Sequence, residues 1–359
     1  MPDHSINEIV LNKISIAKAI GIICVVIGHS GCPDSLRNLI YLFHMPFFFF
    51  IAGYCFKDKY LGDFKTFTIH RIKGLYIPFL KWTILFILLH NFFFDINIYN
   101  AETGSGNGLI RYQFNEYPHL ISAAFRFNTQ EQLLGVYWFL KSLFFGYFVF
   151  YFIIKFLKNS LFCWGLLLVI CIIIDHFSIN IPYLGFRTFF PSFFILTGYV
   201  YRRHIEILVK NKYRLFFVLS GSIVLIIASL SIHTEMLKAH GRMIFLYSLL
   251  AIIGCLSLLM FSDIIKDKIS LGKSLLKYIG EHTLIIMTFH FLSFKIVSLV
   301  IILFEQLPIN MLGAFPVISY LNPNKWWVVY SIVGIGCPLV ICKLYECISA
   351  IVNTHENHW

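Results

Sequence analysis

Charge is scarce in this chain. Only 13% of its 359 residues are Asp, Glu, Lys or Arg, against about 25% in an ordinary soluble domain, which excludes a globule that must cover itself with ionised side chains. Paired cysteines are missing too. None of the nine Cys falls in a C-x-x-C or a disulfide-like spacing, and Cys24, Cys163, Cys171, Cys255, Cys337 and Cys342 lie inside apolar runs, so buried thiols are expected. There is no H-x-x-x-H or H-E-x-x-H pair, and no bound metal is expected. No fixed-period repeat, low-complexity tract or Pro/Gly/Ser linker divides the chain, which reads as a single polytopic domain over residues 1–359. No cleavable signal peptide is expected, because the polar MPDHSINEIVLNK precedes an apolar run that keeps its ionisable residues. The excess of 29 Lys+Arg over 18 Asp+Glu is scattered between apolar runs, which excludes a nucleic-acid-binding face.

What is present is apolar sequence. Hydrophobic residues make up 58% of the chain, Phe alone supplies 39, and mean hydropathy is +0.76: an all-α integral membrane protein. Ten runs approach the ~20 residues a crossing needs, at about 14–30, 38–56, 78–95, 133–154, 161–178, 187–202, 213–233, 243–262, 281–304 and 326–351. Alternate connections carry sixteen Lys/Arg against six, so the richer set, with both termini, is expected in the cytoplasm. The longest connection, 96–132, then becomes an outer loop, and loops of that length are either functional or disordered.

Ionisable groups inside such spans cost about 2.5–3.5 kcal/mol each on insertion scales and call for a reason. Lys18, His29, Lys141, Asp175, Glu281, His290 and Lys295 form the set. At ~100° and ~1.5 Å per residue, Lys18 and His29 share one helix face about 16 Å apart. The charge bias puts the lysine nearer the cytoplasm and the imidazole nearer the outer face. Each admits two readings: Lys18 is a snorkelling or a functional cation, and His29 is a hydrogen-bonded interfacial histidine or a catalytic one. His44, beside Pro46 near the outer end of the second run, and His290 are packed histidines or site residues. Arg71 and Lys73 are positive-inside anchors or a phosphate site. For Lys141 and Lys295, polar headgroups, substrate anions or neutralisation by Asp175 or Glu281 remain open.

Lys18 eleven residues before His29, FHMPFFFFIAG at 43–53, RIKGLYIPF at 71–79, YWFLKSLFFGY at 137–147, PSFFILTGYVYRR at 191–203 and YIGEHTLIIMTFHF at 278–291 occur in an order that resembles the acyltransferase-3 family of membrane acyltransferases. The nearest resemblance is to its stand-alone members related to fucose 4-O-acetylases, with no esterase-like domain after the last span. The resemblance implies that His29 is the catalytic histidine and that Lys18 is the basic residue eleven positions before it. Arg71, with Lys73, then belongs to a cytoplasmic motif meeting the acyl donor, and His290 and Trp138 match a histidine and a tryptophan of the family. The chain departs from the pattern at Gly74, where a second basic residue is usual, and at His282, where Asn is usual.

The activity implied is O-acyl transfer, most specifically O-acetyl transfer, on a bacterial inner membrane. Acetyl-CoA or another acyl-CoA would be co-substrate, its phosphates met by Arg71, Lys73 and Lys18. The acceptor would be a hydroxyl of a cell-surface glycan or lipid-linked sugar, with His44, Trp138 and His290 binding or orienting it. No tightly bound cofactor is implied, the other partners are membrane lipids, and the oligomeric state is undetermined. His29 would act as general base or carry the acyl group itself. The competing reading is a transporter or flippase for an anionic or lipid-linked solute that uses the intramembrane Lys and His as a relay. Against it, the paired broken helices of many secondary transporters are missing. A non-catalytic scaffold leaves the Lys18/His29 stripe unexplained.

Overall fold

The computed structural model describes residues 2–179, 181–266, 273–318 and 325–356; Lys268, one of the residues used to orient the chain, lies outside them. No strand occurs among the described residues, which fold into helices α1 (Pro2–His29), α2 (Asp34–Tyr41), α3 (His44–Tyr54), α4 (Phe64–Arg71), α5 (Ile77–Asp95), α6 (Tyr117–Phe125), α7 (Trp138–Leu157), α8 (Ser160–His176), α9 (Phe186–Val200), α10 (Arg214–Ser231), α11 (Arg242–Ile265), α12 (Lys273–Glu281), α13 (Thr283–Phe304) and α14 (Trp327–Glu356). The chain is an all-α integral membrane protein. Among the described residues, eight helical stretches are long and apolar enough to cross a membrane. The other two expected spans are α8 and α9, of 17 and 15 residues, about 26 and 23 Å at ~1.5 Å per residue, short of the ~30 Å hydrocarbon core.

The chain forms two compact units that interleave in sequence: Met1–Gly21, Asp34–Trp82 and Tyr137–Lys277 make the first, and Ile22–Pro33, Thr83–Val136 and Tyr278–Trp359 the second. Helices α1, α5 and α12 carry the chain from one into the other.

In the first unit α9 is the hub, with α3, α7 and α8 packed against it. Its residues from Phe190 to Val200 are all buried, as expected of a helix apolar on every side. Glycine sets how closely α3 approaches. A Cβ on Gly53 would overlap the carbonyl of Ile195, and one on Gly198 would overlap that of Phe50, so the two backbones touch where no side chain intervenes. The run at 38–56 is two helices: Phe43 (φ −143°, ψ −20°) breaks it, and Pro46 sits in the first turn of α3, where no intrahelical N–H is lost. The His44 ring closes the break by donating Nδ1–H to the Ile40 carbonyl at 2.9 Å.

Two π-helical turns interrupt this unit, Ile72–Tyr76 between α4 and α5, and Tyr201–Ile205 after α9. Both carry basic residues: Lys73 in one, Arg202, Arg203 and His204 in the other. Such turns recur at functional sites.

In the second unit α13 and α14 lie side by side. Gly334 lets α14 close on Phe294 of α13 and Val26 of α1, both of which a Cβ would strike. The segment 96–132 is ordered. Asn100 accepts from the backbone N–H groups of Glu102 and Thr103 and donates to the Asn310 carbonyl at 2.7 Å, while Gln132 donates to the Gly313 carbonyl. Beneath it, His90 Nδ1 donates to Glu131 at 3.0 Å, His90 Nε2 donates to the Ile110 carbonyl at 2.8 Å, and Tyr112 donates its O–H to Glu131 at 2.7 Å. Both ring nitrogens of His90 and the Glu131 carboxyl are thus engaged within the protein. The two side chains are 0% and 1% exposed.

Candidate functional site: a histidine pair and a basic cluster

Helix α1 runs from Pro2 to His29 and carries both Lys18 and His29. Lys18 belongs to the first unit and His29 to the second.

In the second unit His29, the last residue of α1, meets α13. Its ring centroid is 5.7 Å from that of His290 at 32°, and 5.1 Å from that of Phe291, edge to face. His290 is fully buried between Phe291 and Phe294. Its Nδ1 lies 2.8 Å from the Met287 carbonyl and 3.1 Å from that of Ile286. Carbonyls only accept, so the proton sits on Nδ1 and Nε2 carries a lone pair. That Nε2 is buried and has no hydrogen-bond partner. Buried polar atoms are rarely left so, because each costs on the order of 1–3 kcal/mol. Two imidazoles in an apolar wall, one with a fixed tautomer and an open lone pair, can take up and hand on a proton.

In the first unit the basic residues gather where α3 and α9 end. Lys18, Arg202, Lys13 and Lys57 are all electrostatic neighbours of the Cys55 thiol and favour its thiolate, though its proton affinity stays above the ordinary value. Arg202 donates to the Tyr54 carbonyl at 2.9 Å. Lys13 is otherwise engaged, donating to Tyr54 Oη at 2.9 Å and Glu206 at 2.7 Å. Arg71 lays its guanidinium over the Tyr147 ring, 4.0 Å from the centroid, with Phe67 and Tyr60 at 5.5 and 6.0 Å, and its Nε is buried without a hydrogen-bond partner. Tyr147 has both Arg71 and Cys55 as electrostatic neighbours, so one region holds Lys18 and Arg71 together with Arg202. A guanidinium stacked on aromatic rings keeps its charge and its directed N–H fork. Lys73 is exposed on its π turn, and Gly74 beside it faces open space.

The remaining candidates take ordinary places. His44 is buried against Tyr41 and bonded across the helix break. Trp138 opens α7 half-buried. His282 donates Nδ1–H to the Tyr278 carbonyl and lies 3.3 Å from Glu346, tying α12 to α14. Lys295 donates to the carbonyls of Leu312 and Ala314, both at 2.8 Å, so backbone oxygens take the role left open for a carboxylate. Asp175 accepts from His240 and from the Gly241 N–H, and Glu281 is exposed. Among the described residues no cluster of three or more His, Cys, Asp or Glu could hold a metal ion. Three side chains escaped the sequence reading: His90 and Glu131 of the buried pair, and Arg202 of the basic cluster. A signal existed for His90, an ionisable group in the middle of the 78–95 run. Glu131 and Arg202 sit at run boundaries, where charge is unremarkable.

Comparison with known proteins adds one finding. The Acyl_transf_3 family model, described as an acyltransferase domain, matches residues 11–343 and so spans both units. No curated protein and no solved structure matches the chain.

Proposed function

This chain belongs to the Acyl_transf_3 acyltransferase family, and from that premise we propose that it is an O-acyltransferase that takes an acyl group, acetyl above all, from cytoplasmic acyl-CoA. The acceptor is a hydroxyl of a cell-surface glycan or lipid-linked sugar on the outer side of a bacterial inner membrane. The observation that carries this reading is the pairing of His29 with His290, whose Nε2 is buried and unpartnered.

The basic cluster serves the donor. Phosphates of CoA are met by Arg71, Arg202 and Lys18, with Lys73 at the rim, because guanidinium and ammonium groups form the strongest hydrogen bonds to phosphate oxygen. The fucose 4-O-acetylase-like subtype belongs to the same proposal.

At the histidine pair, the acceptor oxygen attacks the thioester carbonyl as His29 removes its proton. The carbonyl–sulfur bond then breaks, and the imidazolium returns the proton to the departing thiolate, leaving ester and free thiol. Positive charge develops on His29 at the carbonyl end of α1, where the helix dipole favours a cation. His290, held by its Nδ1, accepts a hydrogen bond at Nε2 and fixes the orientation of the hydroxyl or of its partner imidazole.

The test is transfer of label from acetyl-CoA by the purified chain in nanodiscs, with surface-glycan mass spectra of strains carrying wild type and His29→Ala. A loss of about 42 Da per acetyl group in the variant is expected. Absence of transfer by the wild type, together with unchanged glycan in a deletion strain, would refute the proposal. A labelled acyl-enzyme that forms without acceptor and disappears in His29→Ala would mark the covalent route.

A further inference from the structure

Donor binding and proton transfer leave Lys141 and Arg187 without a task. Both line a cavity of about 610 Å³ in the first unit, within the range of small-molecule sites. The cavity lies where α7 begins, α8 ends and α9 begins, with His240 contributed from just before α11. The basic cluster sits at the other end of α9. From Arg187 to Arg202 the rise is about 22 Å at ~1.5 Å per residue, so the unit has two cationic regions at opposite ends.

The electrostatics of the cavity are unbalanced. Its one acid, Asp175, is turned to other partners: its carboxylate accepts from His240 Nδ1 and from the Gly241 N–H. Lys141 and Arg187 repel each other, and neither forms an ion pair with a carboxylate among the described residues. Lys141 Nζ rests instead 5.1 Å from the Tyr183 ring centroid, and that ring packs on Phe145. Holding two like charges together with neither ion-paired costs free energy that a bound anion would recover. Tyr183 and Phe186 add flat apolar surface beside the cations. An ammonium, a guanidinium and two aromatic faces suit a ligand with one anionic group and one ring of C–H bonds.

We propose that this cavity binds an acidic saccharide, a sugar bearing a carboxylate or phosphate, with Lys141 and Arg187 on the anion and Tyr183 and Phe186 against the ring. The assignment rests on the acyltransferase reading and names the class of acceptor that the reading leaves open.

The experiment reads binding without acyl-CoA. The purified 359-residue chain in phosphatidylcholine nanodiscs is titrated calorimetrically with methyl glucuronide, glucose 1-phosphate and methyl glucoside, and again in nanodiscs containing phosphatidylglycerol. The expected result is binding of both anionic sugars, at least tenfold weaker binding of the neutral one, and a further loss of about tenfold or more in Lys141→Gln and in Arg187→Gln. Lys141→Arg, which keeps the charge, should recover most of the affinity and shows that the site still folds. Equal binding of charged and neutral sugars, or unchanged affinity in both Gln variants, would overturn the proposal. So would loss of all sugar binding in phosphatidylglycerol, which would assign the cavity to a lipid headgroup. Anionic sugar binding by a protein that shows no transfer in the labelled-donor assay supports the cavity and faults the acyltransferase reading separately.

Discussion

Glu131→Ala is the sharpest test of how the 96–132 segment is held. The Glu131 carboxylate accepts from His90 Nδ1 at 3.0 Å and from Tyr112 Oη at 2.7 Å, and the His90 and Glu131 side chains are 0% and 1% exposed. Truncation takes away the acceptor that His90 and Tyr112 share and orphans both groups inside the protein. Leaving a buried polar group unpaired costs about 1–3 kcal/mol, so orphaning two of them is set at about 3 kcal/mol, His90 keeping its bond to the Ile110 carbonyl. About 3 kcal/mol at ~1.4 kcal/mol per decade is roughly a hundredfold in a local opening equilibrium. Hydrogen exchange followed by mass spectrometry, on the chain in nanodiscs, should therefore show amides between 96 and 132 exchanging about a hundredfold faster. Glu131→Gln keeps one acceptor but turns an N–H₂ toward a donor, and should give about tenfold. Exchange in Glu131→Ala within about threefold of wild type would refute the reasoning, as would a Gln variant more open than the Ala variant.

Other expectations follow from the same contacts. His290→Phe, which fills the buried site but removes the Nε2 lone pair, should lower acyl transfer by about 10²–10⁴-fold with little change in melting temperature; unchanged turnover would remove His290 from the chemistry. Gly198→Ala drives a methyl into the Phe50 carbonyl and should destabilise the α3–α9 crossing by about 1–3 kcal/mol. A detergent melting series reads that effect, and Gly74→Ala, which meets open space, is the control.

Much of this molecule is legible without coordinates, and the legible parts share a cause. Membrane residence follows from composition, because a chain with 13% charge has no water-facing surface to build. Helix follows from the bilayer, which leaves no other partner for the backbone. The Lys18/His29 stripe follows from helix geometry over eleven residues, a range in which neighbouring elements need not be known. Short-range reading begins to fail at element ends: nothing local announced that Phe43 would break the second run, or that α9 would stop after 15 residues at a π turn.

The sequence by itself determined the lipid environment, the helical class, the family and the presence of a histidine and a lysine on one face of α1. Only the tertiary structure decided what each ionisable group meets. It set His290 beside His29 with its Nδ1 committed to backbone and its Nε2 open, tied Lys295 to two carbonyls in place of an acid, and paired His90 with Glu131 across 41 residues. It left Lys141 and Arg187 facing one cavity. The physical reason is range: periodicity and hydropathy are properties of a segment, whereas the partner of a buried charge is set by which distant segments pack together. In a low-dielectric interior that partner decides whether the charge is structural or available for a ligand.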